Sequence, residues 1–321
     1  MKRFFLAIVI LSGILFASDH YPSKPINFVV GLGKGGSADR MARNMGIFLE
    51  QELHTPIHII NKSNNASLDA ANYVLSQPPD GYTVFVSSFS PYLINTIVTG
   101  KARYSLDDFA FINLQWFDYD LFLVDKNSKI KSIMGLIHQI KEHPGSIRVA
   151  VVYQSSGHLI MKLLLKTFKI PLSSIRFEFF KGGKLAREAL LKSKADLLVI
   201  SAQGSERYRK EIKPLAIVSN KKSRRWDAPT LNHAISKSYM HIPVLNGPIK
   251  GFAVSKKFKK KYPKRYLILE NAIKKVLAEV RVQKMLKEKH IGSVWIGSRT
   301  STKILKDQYD FFEKHKDLLK D

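Results

Sequence analysis

The order of the apolar runs limits the fold of this chain more than any other feature. Ile26 to Val30 is a short β-branched run that reads as a buried strand. Met41, Met45, Phe48 and Leu49 then recur at helical spacing and give one apolar face. His54-Thr55-Pro56 stops that helix and Ile57 to Ile60 is a second strand. A helix around Leu68 to Leu75, the turn Pro78-Pro79-Asp80-Gly81 and a third strand at Tyr82 to Val86 follow. Strand, helix, strand, helix, strand predicts an α/β fold with a parallel sheet and right-handed crossovers. The pattern returns later. Ile147 to Val152, Arg176 to Phe180, Leu197 to Ile200 and Leu215 to Val218 read as strands. His158 to Phe168 and Lys184 to Leu191 read as helices, and so do Tyr262 to Val276, Val280 to Lys289 and Thr302 to Leu319. Two α/β units with a helical tail predict a two-lobed binder with a cleft between the lobes.

Ligands of such sheets bind at the carboxyl ends of the strands. There the sequence reads VVGLGKGGSADRMAR, with Gly31, Gly33, Gly35 and Gly36 closely spaced. Gly31, Gly33 and Gly36 satisfy the dinucleotide pattern G-x-G-x-x-G. That site also needs an acid at the end of the second strand, where this chain has Asn61-Lys62. A P-loop needs Gly-Lys-Ser/Thr at its close, and here Lys34 comes too early. What survives is an anion cradle: glycines admit close backbone approach and a helix N-terminus adds partial positive charge. A carboxylate suits it. Ser37 is the expected N-cap, with Asp39 in the first turn.

Lys2 and Arg3, the apolar stretch Phe4 to Phe16 and the small Ala17 form the pattern of a secretory signal peptide, cleaved after Ala17. That apolar core is short for a membrane span. No cysteine is present, which excludes a disulfide framework and a lipidated cysteine. The expected location is the periplasm, where NAD and ATP enzymes are out of place. The net charge of +26 would suggest nucleic acid in a cytoplasmic protein. Export argues against it, and the densest run, Lys256 to Lys261, reads as a solvated basic surface.

Tyr21-Pro22-Ser23-Lys24-Pro25-Ile26 followed by Gly35-Gly36-Ser37-Ala38-Asp39 resembles the opening of the periplasmic substrate-binding proteins of tripartite tricarboxylate transporters, the Bug family. Further matches stand in order: Asn61-Lys62, Pro79-Asp80-Gly81-Tyr82-Thr83, Ile94-Asn95, His143-Pro144-Gly145, Ser155 to Leu159, Phe180-Lys181-Gly182, Ala195-Asp196-Leu197 and Ala228-Pro229-Thr230-Leu231. The resemblance spans essentially the whole mature chain.

It implies an α/β, two-lobed type II periplasmic binding fold: two Rossmann-like lobes closing on a ligand like a Venus flytrap. The expected division is 1–17 signal peptide, 18–120 plus 245–321 for the first lobe and 121–244 for the second. The crossings are expected near Trp116 to Val124 and near Val244 to Ala253. Members capture tricarboxylates, dicarboxylates or amino acids and deliver them to a membrane permease. The ligand carboxylate is held by backbone N–H groups and hydroxyls of two facing loops. On this chain the implied ligand residues are Lys34, Gly35, Gly36, Ser37 and Ala38 in the first loop. Tyr153, Gln154, Ser155, Ser156 and His158 form the second, with Ser87, Ser88 and Ser90 on the same cleft edge. The chain departs from the family where Gly31-Leu32-Gly33-Lys34 replaces Pro-Phe-Pro-Ala, where Val152 and Gln154 replace glycines, and where Ser63 to Ser67 replaces a glycine cluster. These departures bear on ligand identity.

The residues offer no His-Glu-x-x-His, no Gly-x-Ser-x-Gly and no cysteine nucleophile, so no enzyme is expected. No cofactor and no metal site are expected either, since His138 and His143 share no helix face. The expected protein is a monomer that binds no nucleic acid. A periplasmic sensor that reports its ligand to a membrane kinase is the alternative function, and an envelope protein using the basic face a third.

Overall fold

The computed structural model describes residues 20–319, and the segment read as a signal peptide lies outside them. The chain runs β1 (Ile26–Val30), α1 (Ser37–Leu53), β2 (Ile57–Asn61), α2 (Leu68–Ser76), β3 (Thr83–Ser90), α3 (Tyr92–Val98) and β4 (Phe109–Phe117). It continues through β5 (Asp120–Asp125), α4 (Ile133–Glu142), β6 (Ile147–Val152), α5 (Ser156–Thr167), β7 (Ile175–Phe180), α6 (Gly183–Leu191), β8 (Leu197–Ser201), β9 (Ile212–Ile217) and α7 (Leu231–Ala234). β10 (Ile249–Ser255), α8 (Lys256–Lys261), α9 (Pro263–Ala278), α10 (Val280–Glu288) and α11 (Gly297–Lys314) complete it.

Two five-stranded sheets result, ordered β2-β1-β3-β10-β4 and β7-β6-β8-β5-β9. Each starts with three parallel strands, as the alternating pattern predicts. Each is then extended by a fourth strand antiparallel to its neighbours: β10 in the first sheet and β5 in the second. Both inserted strands directly follow a passage of the chain from one sheet to the other. The sequence reading placed crossings over these segments and so passed over β4, β5 and β10. Their runs, such as Phe109–Phe117, are apolar without alternation because β4 is buried on both faces.

The strands are short and apolar, and helices cover them. α1 lays Met41, Ala42, Met45 and Leu49 onto the first sheet, in one core with Phe28, Phe252 and Ile273. His54 ends α1 in a left-handed conformation with φ 50°, its N–H returning to the Glu50 carbonyl. The helical tail folds back: α9 packs against α1 and α11 against β4. A further core joins the two lobes, with Phe85 and Phe111 from one side and Val149 and Leu164 from the other. The molecule is therefore a two-lobed α/β structure, and the carboxyl ends of β1 and β6 each open into a turn that starts a helix.

Candidate functional site

The turn after β1 is held from below. The Gly31 N–H donates to the Val86 carbonyl at 3.1 Å, and the Ser67 hydroxyl donates to the Gly31 carbonyl at 3.1 Å. The Ser67 and Ser87 hydroxyls share a hydrogen bond of 2.7 Å. A Cβ on Gly31 would lie 2.6 Å from Ser87 Oγ and 2.7 Å from Ser67 Oγ, so any side chain here would have to displace that hydroxyl pair. Gly35 has φ +78° and donates its N–H to Asp39 Oδ2 at 2.8 Å, and the Gly36 N–H donates to the Gly33 carbonyl at 3.0 Å. These two N–H groups are thus used inside the turn. The helix start still leaves the N–H groups of Ser37, Ala38 and Asp39 without an intrahelical acceptor. The N-cap is Gly36, with no side-chain cap, and not the expected Ser37. The Asp39 carboxylate replaces a cap by reaching back one turn.

Asp39 is buried and also accepts from Arg43 Nε at 2.9 Å and Asn61 Nδ2 at 2.9 Å. Burial alone would raise its pKa. The hydrogen bonds from Arg43, the Gly35 N–H and Asn61 outweigh burial and hold the carboxyl below its ordinary value. Lys34 stands at the exposed tip of this turn. Ser88 and Ser90 are fully buried; Ser88 donates to the Ser90 carbonyl at 2.8 Å and Ser90 to Gln308 at 3.3 Å. Their hydroxyls serve the strand and α11.

The turn after β6 is built differently. The Ser155 N–H donates to the Val152 carbonyl at 3.0 Å, and Ser155 Oγ caps α5 by accepting from the His158 N–H at 3.2 Å. Gln154 takes the left-handed conformation, φ 56°, at a position where the resembled family carries glycine. Its carbonyl accepts from Asn95 Nδ2 of α3 at 2.7 Å, a bond from one lobe to the other. Gly157 cannot carry a side chain, because a Cβ would lie 2.2 Å from the Val199 carbonyl oxygen. His158 is buried among rings, with its centroid 4.9 Å from Phe177, 5.1 Å from Phe179 and 6.1 Å from Tyr153. Lys101 of the first lobe lies 5.9 Å over the Tyr153 ring.

Beneath both turns the chain passes between the lobes through Asp118 and Tyr119, and the second passage lies alongside. The Asp118 N–H donates to the Pro248 carbonyl at 3.2 Å, and a Cβ on Gly247 would lie 2.6 Å from the Tyr119 Cα. Four buried charges gather at this floor: Asp118, Asp120, Arg187 and Lys250. Burial, then the Asp118 charge, pushes Asp120 up to about 7, against a lowering by the Ser156 hydroxyl, Lys250 and Arg187. Burial pushes Lys250 down to about 8 and Arg187 down to about 10, although Asp118 and Asp120 oppose both shifts. Sequence reading missed all four. For Asp120 and Lys250 a signal was there, a charge at the edge of an apolar run, Asp120 before Leu121-Phe122-Leu123-Val124 and Lys250 before Gly251-Phe252-Ala253-Val254.

Among the described residues no group of three His, Asp or Glu is arranged to hold a metal ion, and no helix is long and apolar enough to cross a membrane. The site offers two helix starts with unused N–H groups, which suit an anionic solute, over a floor where two buried cations stand with two buried acids.

Residues 41–320 match the model of the tripartite tricarboxylate transporter family receptor. A UPF0065 protein of Bordetella pertussis is 24% identical over 221 residues, which is 68% of this chain and 68% of that protein. MatC of Rhodopseudomonas palustris, solved with bound malate, superposes with a TM-score of 0.76 at 20% identity, covering 94% of this chain and 100% of its own. A second R. palustris protein, solved with adipate, also has a TM-score of 0.76 at 20% identity, covering 93% of this chain and 98% of its own.

Proposed function

This chain belongs to the tripartite tricarboxylate transporter receptor family, and from that premise we propose that it is a periplasmic solute-binding protein. It captures a small carboxylate between its lobes and delivers it to the permease of such a transporter. It acts without catalysis or cofactor. The expected lobe boundaries at 120/121 and 244/245 fall within three residues of the paired passages at Asp118-Tyr119 and Gly247-Pro248, which are the hinge; Asp120, at the start of β5, belongs to the second sheet. The observation that carries this reading is the pairing of the two turns. The N-termini of α1 and α5 follow equivalent strands of the two sheets, and the Asn95–Gln154 bond ties the second turn to the first lobe. A carboxylate between them accepts from the first-turn N–H groups of both helices and draws the lobes together. The malate and adipate bound by the two R. palustris proteins support this ligand class.

The test is a thermal-shift screen of the mature protein, refolded to strip any carried ligand, against mono-, di- and tricarboxylates and amino acids. A ligand at a hundred times its Kd adds about 2.7 kcal/mol of stability. One class of acid is expected to raise the Tm. Silence across all of them overturns the proposal.

A further inference from the structure

Two charged side chains at the floor remain unanswered after the bonds above are assigned. Lys250 is 3% exposed. Among the described residues its ammonium makes no ion pair and no hydrogen bond, and the Trp116 ring 4.5 Å away is its near contact. Asp120 is 1% exposed and its Oδ2 has no hydrogen-bond partner. The Ser156 hydroxyl, close enough to act on the Asp120 charge, and Asn95 Oδ1 are also buried without a partner. Native structures rarely strand buried polar atoms in this way.

The other charges nearby have internal uses. Asp118 accepts from the Tyr119 and Gln203 N–H groups at 2.9 and 3.3 Å. Arg187 donates to Ser205 Oγ and to the Ser201 carbonyl, each at 2.8 Å. Asp120 is faced by Asp118, Arg187, Lys250 and, from α3, Tyr92. Lys250 is faced by Asp118, Asp120 and Arg40. The floor therefore presents one ammonium without an ion pair and one carboxylate oxygen without a geometric hydrogen bond, with the Ser156 hydroxyl near enough to act on that carboxylate and Asn95 Oδ1 also left unpartnered. A simple diacid answers only the first. A ligand with a carboxylate and an ammonium on the same carbon answers both.

We propose that this floor is a zwitterion subsite: Lys250 takes the α-carboxylate of an amino acid, and Asp120, with Asn95 Oδ1 and Ser156 Oγ, takes its α-ammonium. This rests on the carboxylate-capture reading above and narrows it from acids in general to amino acids. Lys250 and Asn95 stand on the first sheet's side of the hinge and Ser156 on the second, so one ligand end binds both lobes.

The experiment is titration calorimetry with matched pairs that differ only by the amino group: L-aspartate with succinate, and L-glutamate with glutarate. In wild type one amino acid is expected to bind at least tenfold more tightly than its deaminated partner. Asp120→Asn, which keeps the shape, should remove that preference. Lys250→Met, which keeps the stem on Trp116, should weaken both members of the pair. Amino-acid affinity should also peak between about pH 7 and pH 8, where Asp120 is ionised and Lys250 is still charged. Equal affinity within each pair, or a preference that survives Asp120→Asn, overturns the zwitterion subsite and leaves carboxylate capture standing. Binding of no acid at all overturns both.

Discussion

The two turns that open onto the cleft do the same mechanical task with different chemistry. After β1 the chain uses glycines and a distant carboxylate: Gly36 caps α1 without a side chain, and Asp39 reaches back to the Gly35 N–H. After β6 it uses a buried hydroxyl: Ser155 caps α5 directly, and Gln154 takes the left-handed turn. The first turn has an exposed tip, while Gln154, Ser155 and Ser156 are buried. A tip on the surface can shift to admit a ligand. A turn pinned by a buried cap and by Asn95 from the other lobe is a fixed wall. The difference teaches that a turn built on glycines can keep its tip at the surface, whereas the turn closed by a side-chain cap is packed inside.

The comparison breaks most sharply at the glycines themselves. Gly157→Ala puts a Cβ 2.2 Å from the Val199 carbonyl oxygen, a backbone atom of a central strand. Overpacking of this kind should cost about 3 kcal/mol, and chemical denaturation should show it directly. Gly36→Ala meets the Gly33 carbonyl at 2.9 Å, but that carbonyl lies in an exposed tip. Its cost should stay near 1 kcal/mol. Equal losses at the two positions would erase the distinction between the exposed and the packed turn.

Asp39 comes next in size. Asp39→Ala removes three hydrogen bonds to a buried carboxylate and should cost about 2 kcal/mol at pH 7. The folded-state pKa of Asp39 lies below its ordinary 3.8, so the carboxylate's contribution is complete above pH 4 and disappears as pH falls through the folded value. Wild type and variant should converge in stability toward acid pH. A gap that persists unchanged down to pH 3 would mean that lost packing, not charge, sets the cost.

Ser155→Ala removes only a cap and should cost about 1 kcal/mol, with His158 still packed in its ring cluster. Glycine at the same position should recover most of that loss, since capping preference there depends on the backbone as well as the hydroxyl.

The legible part of the fold was the part with regular period. The alternation around Ile26 to Val86 revealed three parallel strands, because strands separated by helices leave a clear break between the two periods. β10 and β5 were hidden because their apolar runs lie where the crossings between the lobes were placed, at Val244 to Ala253 and Trp116 to Val124. The same holds for the site. The glycine stretch was visible as a cluster, and the second turn became visible through the family resemblance at Ser155 to Leu159. Asp118 and Asp120 are near neighbours, but Arg187 and Lys250 are distant from them in sequence, and the adjacent passages together with α6 bring the four together. Nothing in a linear pattern encodes that meeting.

The smallest effect sharpens the comparison at the exposed tip of the first turn. Lys34 is exposed between Gly33 and Gly35, which are exposed as well. A cation in that position feels ligands through water, where screening is strong and a single charge contributes little to stability. Lys34→Ala should therefore leave the denaturation midpoint unchanged. Its effect on binding belongs to the encounter: a charge on the rim attracts an anion before the lobes close, and acts on the association rate more than on dissociation. Stopped-flow measurements with whichever acid the screen identifies should show association slowed about two- to threefold at low salt, with the difference gone at high salt. If Lys34 instead enters the closed cleft and pairs with a second carboxylate, dissociation will accelerate, a diacid will suffer more than a monoacid, and salt will not remove the loss. That result would make the tip of the first turn a wall after closure, and the contrast between the two turns would hold only for the open form.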